Sequence, residues 1–391
     1  MDRSTDVNKA ASRLLGHVEN RTTDLSDEVL YLPADIYTDP ERYQREIDLI
    51  FKKVPLMVAM SIELPNPGDY KTMEMIGLPL LIVRGQDGVV RTFLNVCTHR
   101  GAPVAEQERG NASRFTCRYH AWTFLNDGRL LGVADADKFG AIDKSCHNLT
   151  QLPCAERAGL VFAVMTPGGA MDIDAWLGGM KDELEYFGFD KWYYHGKREI
   201  FGANWKVAYD GYLENYHFAA LHATTIAPRS IVHTMDFKSY GPHIRLGFPS
   251  PGIREIRGIP QEKWWERELV DFRFIRTLFP NISISLAHGI GQIAQLIPGP
   301  TVDQNRTVLN YFAPRPPKDE EERKTYDTAL QFYRDVTNDE DYVMGLKIQQ
   351  GLKSPALKQV VFGRNERGNQ LFHKYVNWMI DGQKGPAPQS L

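Results

Sequence analysis

The distribution of apolar and polar residues along the chain predicts two regions of different character. Between residues 55 and 165, short runs such as LPLLIVRG and GLVFAVMTP are separated by turn signals such as QDG and NDG. This pattern predicts short antiparallel strands. After residue 170, segments such as DIDAWLGGMKDELEYFGF and NWKVAYDGYLENYHFAALH predict helices, followed by strand-like runs such as RTVLNYFAPRP and a helical tail from about residue 318.

The first fifty residues predict a separate entry segment. Residues 1–35 show no clear periodicity, whereas TDPERYQREIDLIFKKV predicts a helix with Thr38 or Asp39 as its cap and Pro40 at its first position. We therefore predict an α+β protein with an N-terminal segment and entry helix at 1–50, a small antiparallel β domain at 51–168, and a domain with an antiparallel sheet flanked by helices at 169–391.

Composition and charge exclude several classes of protein. A chain of 391 residues is long enough for more than one hydrophobic core. Its 46 Lys and Arg against 49 Asp and Glu give a net charge of -3, so nothing indicates binding to nucleic acid or to an anionic membrane. The N-terminus is polar, and no segment approaches the roughly 18 consecutive apolar residues of a membrane span. The sequence thus predicts a cytoplasmic protein.

Two mixed pairs of cysteine and histidine stand between strand-like runs of the β domain. Cys97 and His99 form the first pair, and Cys117 and His120 form the second. Two thiolates and two imidazoles suit either a zinc ion or a [2Fe–2S] centre in which two histidines replace two cysteines on one iron. Zinc sites more often pair cysteine with cysteine and histidine with histidine, whereas each loop here carries one of each. This mixing favours the iron–sulfur centre.

The flanks of the two pairs provide a specific resemblance. The segments CTHRG and CRYHAW, in the spacing C-x-H-x17-C-x2-H, resemble those of a Rieske iron–sulfur domain. The resemblance implies that Cys97, His99, Cys117 and His120 bind a Rieske [2Fe–2S] cluster. Gly101 in the first loop would let the backbone turn tightly beneath such a cluster.

A second constellation lies in the predicted helix NWKVAYDGYLENYHFAALH. On a helix, Asp210, Glu214 and His217 fall at i, i+4 and i+7 and share one face. His222 would lie about 140° further round, so the helix must loosen or end between the two histidines if both are to bind one metal. Two histidines and one carboxylate that leave open positions are the ligands of mononuclear Fe(II) sites that activate O2.

Read together with the upstream pairs, N-W-K-x3-D-x3-E-x2-H-x4-H resembles the catalytic α subunit of the Rieske non-heme iron oxygenases, the ring-hydroxylating oxygenase family. The resemblance covers residues 40 to 380. It implies that His217 and His222 bind iron. It also implies that Glu214, at a position more often occupied by Asp, bridges to a Rieske histidine of the neighbouring subunit. Asp210 would support a ligand or this bridge through hydrogen bonds.

The third iron ligand in this family comes from a late helix, where acidic residues precede a Q-x-G-L-like stretch. TNDEDYVMGLKIQQGL supplies such residues here, and its spacing predicts Asp341 as the ligand, with Asp339 as the nearest alternative. An acidic cluster at the start of a helix also arises from capping preferences alone. Within the predicted substrate pocket, the resemblance suggests Phe218, Leu221 and His288 as lining residues.

The resemblance implies the terminal oxygenase component of a multicomponent system, a homotrimer with or without a small β subunit. No G-x-G-x-x-G follows a strand and opens a helix, so electrons from NAD(P)H would arrive through a separate reductase or ferredoxin. With mononuclear Fe(II) and O2, the expected reaction is mono- or dioxygenation of an aromatic or other apolar small molecule, as in the breakdown of aromatic hydrocarbons.

Other functions remain open at the level of the sequence. One alternative is a monooxygenase or N-demethylase for a small amine or quaternary ammonium compound, which the glutamate at position 214 slightly favours. A pocket with a carboxylate or an aromatic box would favour such a cation, and one with arginine or apolar walls would favour a ring. A Rieske electron-transfer protein without oxygenase activity is a further alternative, although it leaves the E-x2-H-x4-H segment unexplained. A zinc-stabilised binding module is the last.

Overall fold

The computed structural model describes residues 2–287 and 289–389, and it divides the chain into two compact units. One unit comprises Met1–Ile50 and Tyr193–Leu391, and the other comprises Phe51–Trp192. The N-terminal segment therefore belongs to the same compact unit as the C-terminal part of the chain. No helix in the described ranges combines the length and the apolar character needed to cross a membrane.

Three elements form the N-terminal segment: α1 (Arg3–Asn20), β1 (Leu30–Pro33) and α2 (Pro40–Glu46), which continues as a π-helical turn, Ile47–Phe51. The predicted entry helix is present, and its N-cap is Asp39, whose carboxylate accepts the N–H of Glu41 at 2.9 Å. Helix α1 lies where the sequence shows no clear periodicity. Its buried face contains two alanines, whose small side chains make the apolar stripe weak.

The Phe51–Trp192 unit is built mainly of short antiparallel strands. They are β2 (Leu56–Met60), β3 (Asp69–Met75), β4 (Leu78–Arg84), β5 (Val90–Leu94), β6 (Arg109–Asn111), β7 (Arg114–Thr116), β8 (Thr123–Leu125), β9 (Leu130–Gly132), β10 (Gln151–Leu152), β11 (Cys154–Arg157) and β12 (Leu160–Ala163). They form sheets in the orders β10-β5-β4-β3-β6, β11-β12-β2 and β7-β8-β9. The helices are α3 (Ala136–Phe139), α4 (Ile173–Leu177) and α5 (Met180–Glu185).

The remaining elements form an antiparallel sheet with helices around it. The strands are β13 (Tyr193–Gly202), β14 (Asp236–Tyr240), β15 (His243–Pro249), β16 (Phe272–Leu278), β17 (Ile282–Ala287), β18 (Ile290–Pro298), β19 (Asn305–Ala313) and β20 (Gln359–Phe362). The helices are α6 (Trp205–Asp210), α7 (Glu320–Asp335), α8 (Val343–Leu352) and α9 (Arg367–Ile380), with a π-helical turn at Val336–Tyr342. The seven-stranded order is β13-β19-β18-β17-β16-β15-β14, while β20 pairs with β1. This architecture confirms the predicted α+β class.

A buried ion pair fixes the short helix α6 against α2. The ammonium of Lys206 lies 2.7 and 2.6 Å from the two carboxylate oxygens of Glu46, and Trp205 Nε1 donates to the same carboxylate at 3.0 Å. All three side chains are fully buried. Removing one member of such a pair leaves an uncompensated buried charge, a change that costs about 3–5 kcal/mol in proteins. The position of α6 is therefore strongly determined.

The prediction of one helix across residues 204–222 is wrong beyond Asp210. Helix α6 ends there, and residues 211–226 form a series of turns. Only part of the helical hydrogen-bond pattern remains, such as the bond from the Leu221 N–H to His217 O at 2.8 Å, and side chains make further contacts. The Glu214 carboxylate accepts the N–H of His217 at 3.2 Å, and the Asn215 amide donates to the Thr234 carbonyl at 2.9 Å. Tertiary contacts here outweigh the helical propensity of the sequence.

Helix α9 packs directly on this irregular segment, which we call the 211–226 loop. A Cβ atom added at Gly368 would lie 2.2 Å from the carbonyl oxygen of Leu213. This oxygen belongs to the backbone, so it cannot shift without moving the chain around it. Only glycine permits this approach. In contrast, a Cβ added at Gly351 in α8 would meet nothing within 4 Å.

This difference predicts opposite effects for the same substitution in two helices. Gly368→Ala should destabilise the protein by about 1–3 kcal/mol because α9 and the 211–226 loop must separate. Gly351→Ala should stabilise it by up to about 1 kcal/mol, since alanine is the better helix former. Thermal denaturation of both variants measures the two changes in stability. A melting temperature for Gly368→Ala equal to or above that of Gly351→Ala would contradict the proposed packing.

Candidate metal centres and active site

The two cysteine–histidine pairs lie in loops of the Phe51–Trp192 unit. Cys97 and His99 follow strand β5, and Cys117 and His120 lie between β7 and β8. Both cysteines are about 2% exposed within a core cluster that includes Phe93 and Phe124. The two histidines are half-buried. The loops therefore place both thiols inside the unit and leave the imidazoles nearer its surface.

The two loops share one backbone geometry. In the first, Cys97 O accepts the N–H of Gly101 at 2.9 Å, and Cys97 N–H donates to Ala102 O at 2.8 Å. In the second loop, Cys117 O accepts the N–H of the residue four positions later at 2.9 Å. The Cys117 N–H donates to the carbonyl of the residue five positions later at 2.8 Å. The fourth residue has positive φ in both loops, 85° at Gly101 and 54° at Ala121. Such tight turns direct backbone N–H groups toward the cysteine.

The donor set of these loops fits a Rieske cluster. The His99 and His120 ring centroids lie 4.6 Å apart, and His99 stacks on Trp122 at 4.8 Å. The His120 Nδ1 atom is buried without a hydrogen-bond partner among the described residues, so it is free to bind a metal. Burial raises the pKa of the Cys97 thiol, and the adjacent Cys117 adds to this effect. The protein matrix alone thus favours the protonated thiol.

Neither of the other cysteines joins such a donor set. Cys146 is exposed and lies 3.5 Å from an Asp143 carboxylate oxygen, and Cys154 accepts a hydrogen bond from the Thr92 hydroxyl at 3.3 Å.

In the other unit, the 211–226 loop and the π-helical turn before α8 bring three side chains together. His222 Nε2 lies 3.0 Å from Asp341 Oδ1, and His217 Nε2 lies 3.6 Å from the same oxygen. One donor atom from each of the three residues lies within 4.8 Å of the others. Two imidazoles and one carboxylate on one side of a point form the donor set of a mononuclear iron site with open positions.

A glutamate holds the other nitrogen of each histidine. His217 Nδ1 is in contact with the Glu214 carboxylate, and His222 Nδ1 lies 2.6 Å from Glu340 Oε2, which also accepts from the Thr225 hydroxyl at 2.9 Å. These contacts fix the ring orientations, so both Nε2 atoms point toward Asp341. Burial lowers the pKa of His222, but the carboxylates of Asp341 and Glu340 outweigh it and raise the pKa.

The other carboxylates singled out in the sequence lie elsewhere. Asp339 is exposed, and its carboxylate accepts from Asn338 at 2.5 Å. Asp210 contacts neither histidine of the iron site in the hydrogen-bond network. It accepts from the Tyr37 hydroxyl at 2.5 Å and lies 2.9 Å from Nε2 of His373 on α9. Asp210 therefore joins the start of the 211–226 loop to α9 and to the N-terminal segment.

A recess of about 190 Å³ adjoins two of the three converging residues, His217 and Asp341. It contains the carboxylates of Asp210, Glu214 and Glu366 as well as His217 and Leu221. Burial and the negative charges of Glu214 and Asp210 raise the pKa of Glu366 to about 7. The recess thus combines several carboxylates with an otherwise mainly apolar lining.

A much larger cavity, of about 780 Å³, shares His217 and Asp341 with the recess and is called the main cavity here. His217, His222 and Asp341 line it, together with Phe218 and a mainly apolar wall from β15 to β17 and α7. Of the predicted pocket residues, Phe218 lies in this wall, Leu221 lies in the recess instead, and His288 falls outside the described residues. A volume of this size accommodates a small organic molecule.

Several site residues were missed at the level of the sequence. Glu340 lies within the acidic run but has no predicted role, although its contact with His222 parallels that of Glu214 with His217. Arg229 and Arg273, both in the main cavity, had no recognisable pattern because each approaches it from a different element. The run of three consecutive acidic residues was the available sequence signal for Glu340. Neighbouring side chains in a helical turn point in different directions, so the three carboxylates can contact different partners.

Comparisons with known families match both regions that contain these residues. The family model of the Rieske [2Fe–2S] domain matches residues 54–152, and that of the ring-hydroxylating α subunit catalytic domain matches residues 185–382. The carnitine monooxygenase oxygenase subunit of Escherichia coli (strain K12) is 30% identical over 83% of this chain and 84% of its own length. The anthranilate 1,2-dioxygenase large subunit of Acinetobacter baylyi is 30% identical over 55% of this chain and 50% of its own.

Solved structures extend the likeness to the whole fold. The quaternary ammonium Rieske monooxygenase CntA with an inhibitor has a TM-score of 0.77 and 25% identity, covering 88% of this chain and 94% of its own. Naphthalene 1,2-dioxygenase from Rhodococcus sp., at 20% identity and a TM-score of 0.74, covers 97% and 99% and shares the fold. The chain therefore belongs to the Rieske non-heme iron oxygenases as a catalytic α subunit, an oxidoreductase with a [2Fe–2S] cluster, mononuclear iron and O2 as co-substrate.

Proposed function

We propose that His217, His222 and Asp341 bind the mononuclear iron of this terminal oxygenase. We further propose that Cys97, His99, Cys117 and His120 bind the Rieske cluster. The convergence of two Nε2 atoms and one carboxylate oxygen in the wall of the main cavity carries the first proposal. Iron held there supplies the activation of O2.

The protein itself positions the metal ligands and the substrate and excludes water from the site. Glu214 and Glu340 keep the Nδ1 side of each histidine occupied, so the Nε2 side remains available to the metal. The largely apolar walls of the main cavity hold a substrate beside the site and limit access of water. The open side of the donor set faces the same space as the substrate.

Electrons arrive from a separate reductase or ferredoxin and cross between subunits of a homotrimer, with or without a small β subunit. Glu214 is the bridging residue, since its carboxylate contacts His217 within the recess. Apolar side chains on α8 around the recess support a subunit interface: Val343, Met344, Leu346 and Ile348 are 41%, 38%, 46% and 47% exposed. Exposed apolar clusters of this kind mark contact surfaces.

The substrate is an aromatic or other apolar small molecule that gains one or two oxygen atoms. The main cavity supports this assignment by its size and its apolar walls. The relatives include both an anthranilate dioxygenase and carnitine monooxygenases, so the test has to include both kinds of compound. The purified enzyme should be given a reductase, NADH, O2 and panels of aromatic acids, neutral arenes and methylated amines. Oxygenated product coupled to O2 consumption is expected with an aromatic compound. Coupled product only with amines would overturn the substrate assignment.

Replacement of Asp341 tests the iron ligands. Asp341→Ala should lower mononuclear iron at least about tenfold and abolish turnover, because two imidazoles alone bind iron weakly. Metal analysis together with the visible spectrum separates the two centres, and the Rieske absorbance should persist. Asp339→Ala removes an adjacent, exposed carboxylate and serves as the matched control. Full iron in Asp341→Ala, or its loss in Asp339→Ala, would refute the assignment.

Replacing the two glutamates distinguishes two roles: orienting an iron ligand and transferring electrons. Glu214→Gln and Glu340→Gln each weaken the contact to one histidine Nδ1, so both should reduce iron content to a similar extent. Per bound iron, only Glu214→Gln should slow reoxidation of the chemically reduced cluster by O2 and substrate, by about 10- to 100-fold. Stopped-flow absorbance measures this rate. Equal rates in the two variants would argue against a bridging role for Glu214.

A further inference from the structure

Two arginines lie in the wall of the main cavity, and no ion pair accounts for either one. Arg273 on β16 is half-buried, and its guanidinium donates to the Ser250 hydroxyl at 3.3 Å. Arg229 follows the 211–226 loop, where it donates to the Thr225 carbonyl at 3.2 Å and lies 4.6 Å from the ring centroid of Phe332. Both guanidiniums are therefore held in place by neutral groups.

Both arginines and Tyr333 of α7 line the main cavity, and their charges influence one another. Burial lowers the pKa of Arg273, Tyr333 opposes this change and the positive charge of Arg229 adds to it. Burial raises the pKa of the Tyr333 hydroxyl, while both arginines lower it. Two positive charges and one phenol hydroxyl are thus brought together in the wall of a mainly apolar space. We call these three residues the arginine–tyrosine cluster.

No carboxylate neutralises this cluster within the described ranges, where neither arginine has an acidic oxygen within 4.0 Å. Other arginines of the same unit are paired, as Arg245 is with Asp6 at 2.7 Å and Arg276 with Glu268 at 2.8 Å. The remaining charged groups that line the main cavity are Asp341 at the histidines and the exposed Glu321 and Lys324 on α7. Arg273 is half-buried, and a half-buried cation without a counter-charge is costly, so binding an anion lowers that cost; Arg229 is exposed and adds a second positive charge at the same cavity.

We propose that the main cavity selects an apolar substrate that carries a carboxylate, and that Arg273, Arg229 and Tyr333 bind this group. The proposal rests on the oxygenase function and names its substrate class. Guanidinium groups match a carboxylate in charge and in planar hydrogen-bonding geometry. The apolar body of the substrate then contacts Phe218 and Phe248, whose rings stack at 5.8 Å in the same wall.

A cationic substrate is disfavoured by the same residues. Aromatic rings alone could bind a quaternary ammonium group through cation–π contacts. In this cavity, however, two guanidiniums without counter-charges would repel it, and the repulsion is stronger at the half-buried Arg273 than at the exposed Arg229. The aromatic wall therefore binds the apolar part of the substrate, and the arginines set the sign of the charge that it carries.

Binding of three matched probes to the holoenzyme tests the proposal without turnover. The probes are naphthalene-2-carboxylate, naphthalene-2-carboxamide and 2-naphthyltrimethylammonium, which share one ring system and differ in charge. Calorimetry without O2 should give the tightest binding for the carboxylate. Arg273→Gln and Arg229→Gln should each weaken carboxylate binding by about 10- to 100-fold, because each removes a hydrogen bond between charged groups, and should change carboxamide binding less than about threefold.

Arg254→Gln is the matched control, since it removes the same charge from an exposed position outside the main cavity. It should leave the affinity for all three probes unchanged, and the iron content and Rieske spectrum of each variant report correct folding. Tightest binding of the ammonium probe, no binding of the carboxylate, or equal loss in Arg254→Gln would overturn the proposal. Arginine-dependent binding of the carboxylate without oxygenation of any substrate would instead uphold the binding site and count against the proposed function.

Discussion

The catalytic unit depends on a geometric constraint: two histidines five positions apart must present the same ring nitrogen to one point. A regular helix separates such residues by about 140° and cannot do so. The chain meets the constraint by ending α6 at Asp210 and continuing in turns that keep only part of the helical hydrogen-bond pattern between residues 211 and 226. Irregular backbone of this kind persists only where the surrounding structure determines it.

That surrounding structure can be traced through contacts on three sides. The buried Lys206–Glu46 pair fixes α6, which sets the point where the 211–226 loop begins. Asp210 then connects this point to Tyr37 and to α9. Helix α9 in turn contacts the loop backbone where Gly368 approaches it. The N-terminal segment and the last long helix, although distant in sequence from the histidines, are therefore required for their position.

The sequence predicted the features that depend on residues close together in the chain. The two cysteine–histidine pairs have short, specific spacings, and the turns that hold them depend on adjacent residues such as Gly101. The course of the 211–226 loop was not predictable, because its amphipathic pattern suits a helix and only distant partners override it. The role of Glu340 and the arginine–tyrosine cluster were missed for the same reason. Arg229, Arg273 and Tyr333 come from three separate elements, and only the folded chain brings them to one cavity.

Two of the three converging residues also lie between two environments. His217 and Asp341 line both the recess and the main cavity, whereas Glu214 and Glu366 line only the recess and the arginines line only the cavity. Three carboxylates that do not line the main cavity thus line the recess, and the two unpaired guanidiniums line the main cavity. A metal cation at the boundary is stabilised by the carboxylates, while an anionic substrate is attracted to the main cavity. The charge distribution thereby gives the proposed electron route and the proposed substrate site separate approaches to the same metal.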